Sequence, residues 1–466
     1  MTQVLFGQSY YLRFDPKLWE AMQPYPPLGT LYAASWLRHH GYEVALFDAM
    51  LAESEEEWGT ALDQHNPQYA ILYEDNFNYL SKMCLQRMRE AAFKMIDLAK
   101  ARGCTVILCG ADATDHYAEY LKQGADYCLI GEGEETLLEL LNQLSAKQDP
   151  NSIAGVVSPI TLRATRRPDI TDLDKLSFPA WDLVDVQKYK RIWLDRHGYF
   201  SMNVVTTRGC PYHCNWCAKP IWGQRYNSRS PENVVAEIRW LKKAYSPNHI
   251  WFADDILGLK PKWIERFAER LHEENALIPF KCLQRADLLN ERTASALASA
   301  GCKTVWLGAE SGSQKILDAM DKGDKVEDIY RAAKLLHEHG IEVGFFLQFG
   351  YPGETWVDVQ MTLKMVRECK PDDIGISVSY PLPGTKFFER VKLELGEKQN
   401  WVDSQDLAML YRGPFPTEFY RILHGRVHYE FRTRRALRKP SLRSFAAIPR
   451  NLFCMIKTEF QLRRYL

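Results

Sequence analysis

The chain has 466 residues, 46% apolar and 25% charged, with 59 basic and 59 acidic side chains. That length allows two or three domains with sizeable cores, and the balance excludes a disordered or collagen-like chain. Eleven cysteines are too sparse for a secreted disulfide framework, and no run of eighteen apolar residues offers a spanning helix, so a cytoplasmic, reducing setting is expected. Charge is unevenly spread: residues 421–466 hold twelve Lys and Arg against Glu430 and Glu459, which leaves the rest of the chain net acidic.

Residues 3–6 read as a short buried strand. A turn at Tyr25-Pro26-Pro27-Leu28-Gly29 precedes a helix from Thr30 to His40. A strand at 43–47 ends on Asp48. A helix (54–64), a strand (69–73), a long helix (80–102), a strand (105–108), a helix (115–123), a strand (127–130) and a helix (133–145) follow. Strands alternating with helices predict a parallel, doubly wound sheet over residues 1–146. Ligands of such sheets bind outside the carboxyl ends of the strands. Those ends carry Asp48, Glu74-Asp75-Asn76, Gly110-Ala111-Asp112 and Gly131-Glu132-Gly133-Glu134.

Residues 147–198 read as a proline-punctuated linker with one strand near 153–157. From 199 to 395 the alternation restarts in six βα units. Their strands lie at 202–206, 249–253, 280–283, 303–307, 342–347 and 374–379. Six such units predict a partial (β/α)6 barrel, whose chemistry sits on the loops after the strands. Those loops hold Asp254-Asp255, Gln284-Arg285, Glu310-Ser311, Gln348 to Glu354 and Pro381 to Thr385.

The loop after the first of these strands contains Cys210, Cys214 and Cys217, three thiols at spacings of four and three. Thiolates select zinc, copper(I) or iron–sulfur clusters. Structural zinc wants four ligands, and His213 is awkwardly placed between two of the cysteines. A cubane with one iron left open fits this set better. Cys84, Cys104, Cys109, Cys128, Cys282, Cys302, Cys369 and Cys454 are scattered and read as inert core thiols.

With the Cys-x3-Cys-x2-Cys loop at the end of the first barrel strand, the chain resembles the radical S-adenosylmethionine (radical SAM) superfamily. Pro26-Pro27-Leu28-Gly29, the Gly110 loop and Gly131 to Glu134 make it similar to the cobalamin-binding-domain branch, over roughly residues 1–390. The resemblance implies a Rossmann-like cobalamin-binding-type domain, a radical SAM barrel and a basic, mostly helical extension over 396–466. It implies that Cys210, Cys214 and Cys217 hold a 4Fe–4S cluster whose fourth iron is chelated by SAM, and that SAM is cleaved to a 5′-deoxyadenosyl radical. Asp254 and Asp255 stand where the family meets the methionine ammonium, and Glu310 with Ser311 resembles its fourth-strand SAM contact. Gln348, Gly350, Pro352 and Gly353 resemble the adenine-lining segment. Arg285 pairs with the SAM carboxylate or with an anionic substrate. Asp48, Gly110, Asp112, Gly131, Glu132 and Gly133 are the implied cobalamin contacts. The Asp-x-His-x-x-Gly motif that ligates cobalt from below is missing; Asp63-x-His65-x-x-Gln68 mimics it but reads as a helix end.

The expected activity is methylation of an unactivated carbon on a small molecule or a lipid- or tetrapyrrole-type substrate, with radical cyclisation or rearrangement as the alternative. A tRNA methylthiotransferase or a non-catalytic cofactor-binding protein fits less well. An electron donor such as flavodoxin or ferredoxin is expected; nucleic acid is not. In the tail, Leu442, Phe445, Ile448, Leu452, Ile456 and Phe460 recur at helical steps amid arginines. That pattern serves equally a peripheral contact with the inner face of the membrane and packing on the barrel.

Overall fold

The computed structural model describes residues 3–83 and 85–466. Cys84, one of the expected core thiols, lies outside the described residues, as does the side chain of Leu442.

The first sheet comprises β1 (Val4–Gly7), β2 (Val44–Leu46), β3 (Tyr69–Tyr73), β4 (Thr105–Cys109), β5 (Tyr127–Leu129) and β6 (Val156–Val157). Its order is β2-β1-β3-β4-β5-β6, with every pair parallel except β5 with β6. Strands β1 and β3 are buried along their whole length, which is why they read as near-continuous apolar runs. Alternate residues feed two cores. Leu5, Leu72, Val106 and Leu108 join Trp58 and Met95 in one; Phe6, Ile71, Tyr73 and Ile107 join Leu37 and Leu137 in the other. In this doubly wound order the connections reverse direction between β1 and β3, the place where such sheets open a ligand crevice.

The remaining strands are β7 (Ser201–Val204), β8 (Thr207–Arg208), β9 (Asn227–Ser228), β10 (His249–Phe252), β11 (Phe280–Gln284), β12 (Cys302–Glu310), β13 (Glu342–Phe349) and β14 (Asp373–Val378). β8 and β9 form a small antiparallel ribbon. The other six make a sheet in the order β14-β13-β12-β11-β10-β7, with the β7–β10, β12–β13 and β13–β14 pairs parallel. Each strand adds on the same edge as its predecessor, the winding of a half barrel. Helices between them begin where the caps say they should. Ser230 accepts from the Asn233 N–H ahead of Pro231, and Thr355 and Asp358 form a reciprocal capping box.

By internal packing the chain divides into two compact units. One comprises Met1–Pro211, Ala218–Phe280 and Asn400–Asp406; the other comprises Tyr212–Cys217, Lys281–Gln399 and Leu407–Leu466. Two elements differ from the sequence expectation. The long helix over 80–102 is a short turn, Tyr79–Lys82, and a separate helix, Gln86–Lys100, because Leu85 is extended. The linker carries a helix, Val186–His197, packed into the first unit: Trp193 Nε1 donates to the Pro24 carbonyl at 2.7 Å.

Candidate functional site

Thr206 and Thr207 stand between β7 and the cysteine loop, and Asp254 clamps both. Its carboxylate accepts from the Thr206 and Thr207 N–H groups at 2.8 and 2.7 Å and from their hydroxyls at 2.9 and 2.8 Å. Burial raises its pKa to about 6 and these donors pull it back. The first of the two expected SAM carboxylates therefore spends its lone pairs fixing the backbone that launches the loop. The second, Asp255, is half exposed and pairs with Lys82 at 2.8 Å. Gly209 follows at φ +81°, and a Cβ there would overlap the Arg225 carbonyl oxygen, so only glycine makes this turn.

Arg208, beside that glycine, is 3% exposed and holds two carboxylates of the Gly131 to Glu134 loop. It bonds Glu132 Oε1, and Glu134 Oε1 at 2.7 Å. Glu132 also accepts from Trp222 Nε1 at 3.0 Å and from the Ile170 N–H at 2.5 Å. The acidic loop and the cysteine loop, two separate motifs in the sequence, are thus tied through one guanidinium.

In the second unit the loop is pinned by Asn215, which lies between Cys214 and Cys217. Asn215 N–H donates to the Met320 carbonyl at 3.0 Å, its Nδ2 to the Ala319 carbonyl at 2.8 Å, and its Oδ1 accepts from Tyr351 at 2.8 Å. Arg285 sits against this segment. Its guanidinium lies 3.7 Å from the centre of the Tyr212 ring, and Nη1 reaches Cys214 Sγ at 3.8 Å. Asp287, Asp324 and the Lys322 carbonyl hold the other donors. The cation of Glu310 is Lys322, at 3.4 Å, so Arg285 and Glu310 each have their own counter-charge.

Glu310 has φ +55° at an irregularity in the β12–β13 register, a left-handed conformation that a glutamate adopts only when its surroundings impose it. Burial raises its pKa and Lys322 opposes the rise. Ser311 Oγ meets Thr362 Oγ1 at 3.2 Å, and Gln348 Nε2 donates to Ser379 at 3.0 Å. The Gly350 N–H donates to Glu354 at 2.7 Å, and its carbonyl accepts from Tyr411. Pro352 and Gly353 complete the turn, Gly353 at φ +87°.

Glu354 is 3% exposed and its Oε1 has no partner. Burial pushes its pKa from the usual 4.5 up to about 8; the Gly350 N–H opposes this and Asp358 adds to it. The folded chain thus keeps a proton that the unfolded chain releases, and stability falls as pH rises from about 4.5 to about 8. Glu354→Gln, neutral throughout, is expected to flatten that slope. Urea midpoints of the two proteins should coincide near about pH 5 and favour the variant by a few tenths to a few kcal/mol near about pH 9.

At the edge of the first sheet, Asp48 accepts from Tyr189 at 2.7 Å and from the Met50 N–H at 3.2 Å, and burial raises its pKa to about 6. Asp112 is gripped by Arg89 at 2.6 and 2.7 Å, by His116 at 2.7 Å and by Tyr120 at 2.5 Å. Burial works against its charge, but Arg89 and His116 outweigh it and hold its pKa below the usual carboxylate range. Gly110 lies against Glu74, whose carboxylate accepts from the Ser9 N–H at 2.9 Å. Asp48, Asp112 and Glu132, expected as cofactor contacts, all have protein partners for their carboxylates. Among the described residues, groups with unmet capacity include Gln8 Nε2, just past β1, and Asn76 Oδ1, just past β3, both buried without a partner. They follow the two strands between which the winding reverses.

Among the described residues no three His, Cys, Asp or Glu side chains are closed as a bound ion would hold them. Cys210, Cys214 and Cys217 are half-buried on their loop. Cys104, Cys109, Cys128, Cys282, Cys302 and Cys369 are buried, as expected of core thiols, while Cys454 is half-buried. His65 ends its helix and Asp63 pairs with Arg102, so that mimic of a cobalt motif is a helix end.

The model of the Radical SAM superfamily matches residues 204–366. The matched stretch contains Cys210, Cys214 and Cys217. An uncharacterized methyltransferase of Pyrococcus horikoshii is 31% identical over 57% of this chain and 57% of its own length, so the match spans little more than half of that relative. The anaerobic magnesium-protoporphyrin IX monomethyl ester cyclase of Rubrivivax gelatinosus is 26% identical over 80% of this chain and 67% of its own. Among solved structures, the radical S-adenosylmethionine methyltransferase TsrM of Kitasatospora setae, with cobalamin and a [4Fe-4S] cluster bound, superposes with a TM-score of 0.69. That match has 20% identity and covers 84% of this chain and 74% of that one, a likeness of fold. Within residues 204–366, the sequence singled out the cysteines, Arg285 and Glu310 but not Arg208, Asn215, Lys322 and Asp324, whose contacts surround them. Only Arg208 carried a signal, as an arginine abutting the Gly-Cys turn.

Proposed function

We propose that this chain is a cobalamin-dependent radical SAM enzyme that methylates an unactivated carbon of a small molecule or a lipid- or tetrapyrrole-type substrate. The observation that carries the reading is the cysteine loop itself: three half-buried thiols at the carboxyl end of β7, one of them already met by the Arg285 guanidinium. Cys210, Cys214 and Cys217 would hold a 4Fe–4S cluster, leaving one iron for SAM. When bound, the cluster supplies the electron that cleaves SAM to a 5′-deoxyadenosyl radical, and the corrinoid supplies a transferable methyl group.

The chain's own residues do the positioning. Asp254 fixes the start of the loop and Asn215 its middle. The Arg285 charge offsets that of the Cys214 thiolate, the kind of hydrogen bond to sulfur that tunes a cluster's potential. Glu310, in a left-handed conformation and paired with Lys322, and Gln348 to Gly353 are the proposed SAM contacts. For the corrinoid, Gln8 and Asn76 offer a buried donor and acceptor at the reversal between β1 and β3, which suits a ring rimmed with amides. Gly131 and Gly133 offer backbone in a loop of the same sheet, after β5. Electrons come from a flavodoxin- or ferredoxin-type donor.

Radical cyclisation or rearrangement without methyl transfer is the second reading, favoured by the similarity to a cyclase over most of the chain. Product analysis separates the two. Methylation is expected to yield S-adenosylhomocysteine together with 5′-deoxyadenosine in turnovers with substrate; 5′-deoxyadenosine alone would leave only the second reading.

A further inference from the structure

The C-terminal helix Ile448–Leu462 uses one side for packing, burying Asn451 and Leu462 in the second unit. Its opposite side is apolar and open: Leu452 is 43%, Phe453 68%, Ile456 59% and Phe460 65% exposed. At about 100° per residue these four fall in one continuous arc of about 100°. Arg450 and Lys457 run along one border of the arc, and Arg443, Arg463 and Arg464 are exposed at its two ends. Phe445, in the preceding short helix, extends the apolar surface and is 61% exposed. The sole acid in this segment, Glu459, is paired with Arg426 at 3.2 Å. No helix among the described residues is long and apolar enough to cross a membrane.

We propose that this face docks on an anionic lipid bilayer, with the helix lying in the plane of the interface. The aromatic and aliphatic side chains enter the acyl boundary while the five cations meet lipid phosphates, the arrangement of in-plane amphipathic helices. A second copy of the chain is the poorer occupant, since pairing two such faces would bring like-charged rims together. The proposal stands apart from the catalytic reading: it needs neither the cluster nor the corrinoid.

The test is co-sedimentation of the full chain with vesicles of phosphatidylethanolamine and phosphatidylglycerol, against vesicles of phosphatidylcholine alone. Binding to the anionic vesicles is expected, weakened by salt. A Phe453→Ser/Phe460→Ser variant, altered only at exposed positions, should bind about tenfold more weakly or worse. An Arg450→Gln/Lys457→Gln variant should bind more weakly and with a shallower salt dependence. Reductive SAM cleavage, measured on the same samples, should be unchanged in both. Equal binding to the two vesicle types, or full binding by the Phe453→Ser/Phe460→Ser variant, would overturn the proposal. So would a chain that ignores vesicles but self-associates, in analytical ultracentrifugation, through a contact that this variant abolishes.

Discussion

An Arg208→Met chain is expected to lose about 3–5 kcal/mol of stability, the cost of removing one partner from a buried ion cluster. The methionine fills comparable space, so the loss comes from charge. Glu132 and Glu134, 7% and 3% exposed, would keep their carboxylates in a low-dielectric site with no cation. Burial already raises the pKa of Glu132, and Arg208 is the first influence opposing it. Without the guanidinium, Glu132 takes up a proton instead, and the deficit should widen as pH rises. Urea unfolding of the wild type and of the variant at two pH values measures this. An Arg208→Met/Glu132→Gln/Glu134→Gln chain should recover most of the loss, because it removes the stranded charges along with their partner. A single variant as stable as the wild type would mean that the cluster contributes no net energy.

Cys214→Ala is expected to abolish reductive cleavage of SAM while leaving the fold intact. The thiol is half-buried on a loop, so its removal opens no core cavity. What is lost is one of three donors, and a neighbour as well: Arg285 Nη1 would face a methyl group while Asp287 and Asp324 still hold its other nitrogens. After anaerobic reconstitution the variant should bind less iron than the wild type, should give no matching cluster spectrum and should release no 5′-deoxyadenosine above background. The denaturation midpoint of the apoprotein should shift by less than about 1 kcal/mol equivalent. Unchanged cleavage by this variant would reject the assignment of the cysteine loop.

The architecture was legible because its strands are either buried on both faces or regularly spaced between amphipathic helices. β1, β3 and β4 read as apolar runs, and each of the six later strands is followed by a loop and a helix. Asp254 could be placed on the rim by counting, but its role could not. Two adjacent threonines with four donors capture it, and nothing in a pattern of apolar and polar residues reports that. Arg208 and its glutamates are more than seventy positions apart, so their pairing is a product of the fold. The helix Val186–His197 was passed over although Val186, Tyr189 and Trp193 recur at helical steps; the prolines before it masked the signal. In the tail, Ile448 is half-buried and Phe453 takes its place on the open face, a one-residue rotation that spacing alone did not resolve.

The most direct test of the central claim is the electron paramagnetic resonance spectrum of the reconstituted, reduced protein with and without SAM. A cluster with one iron lacking a protein ligand predicts a [4Fe–4S]+ signal that changes shape when SAM is added and that is absent from Cys214→Ala. A cluster signal that SAM leaves unaltered, or no cluster signal in the wild type, would contradict it.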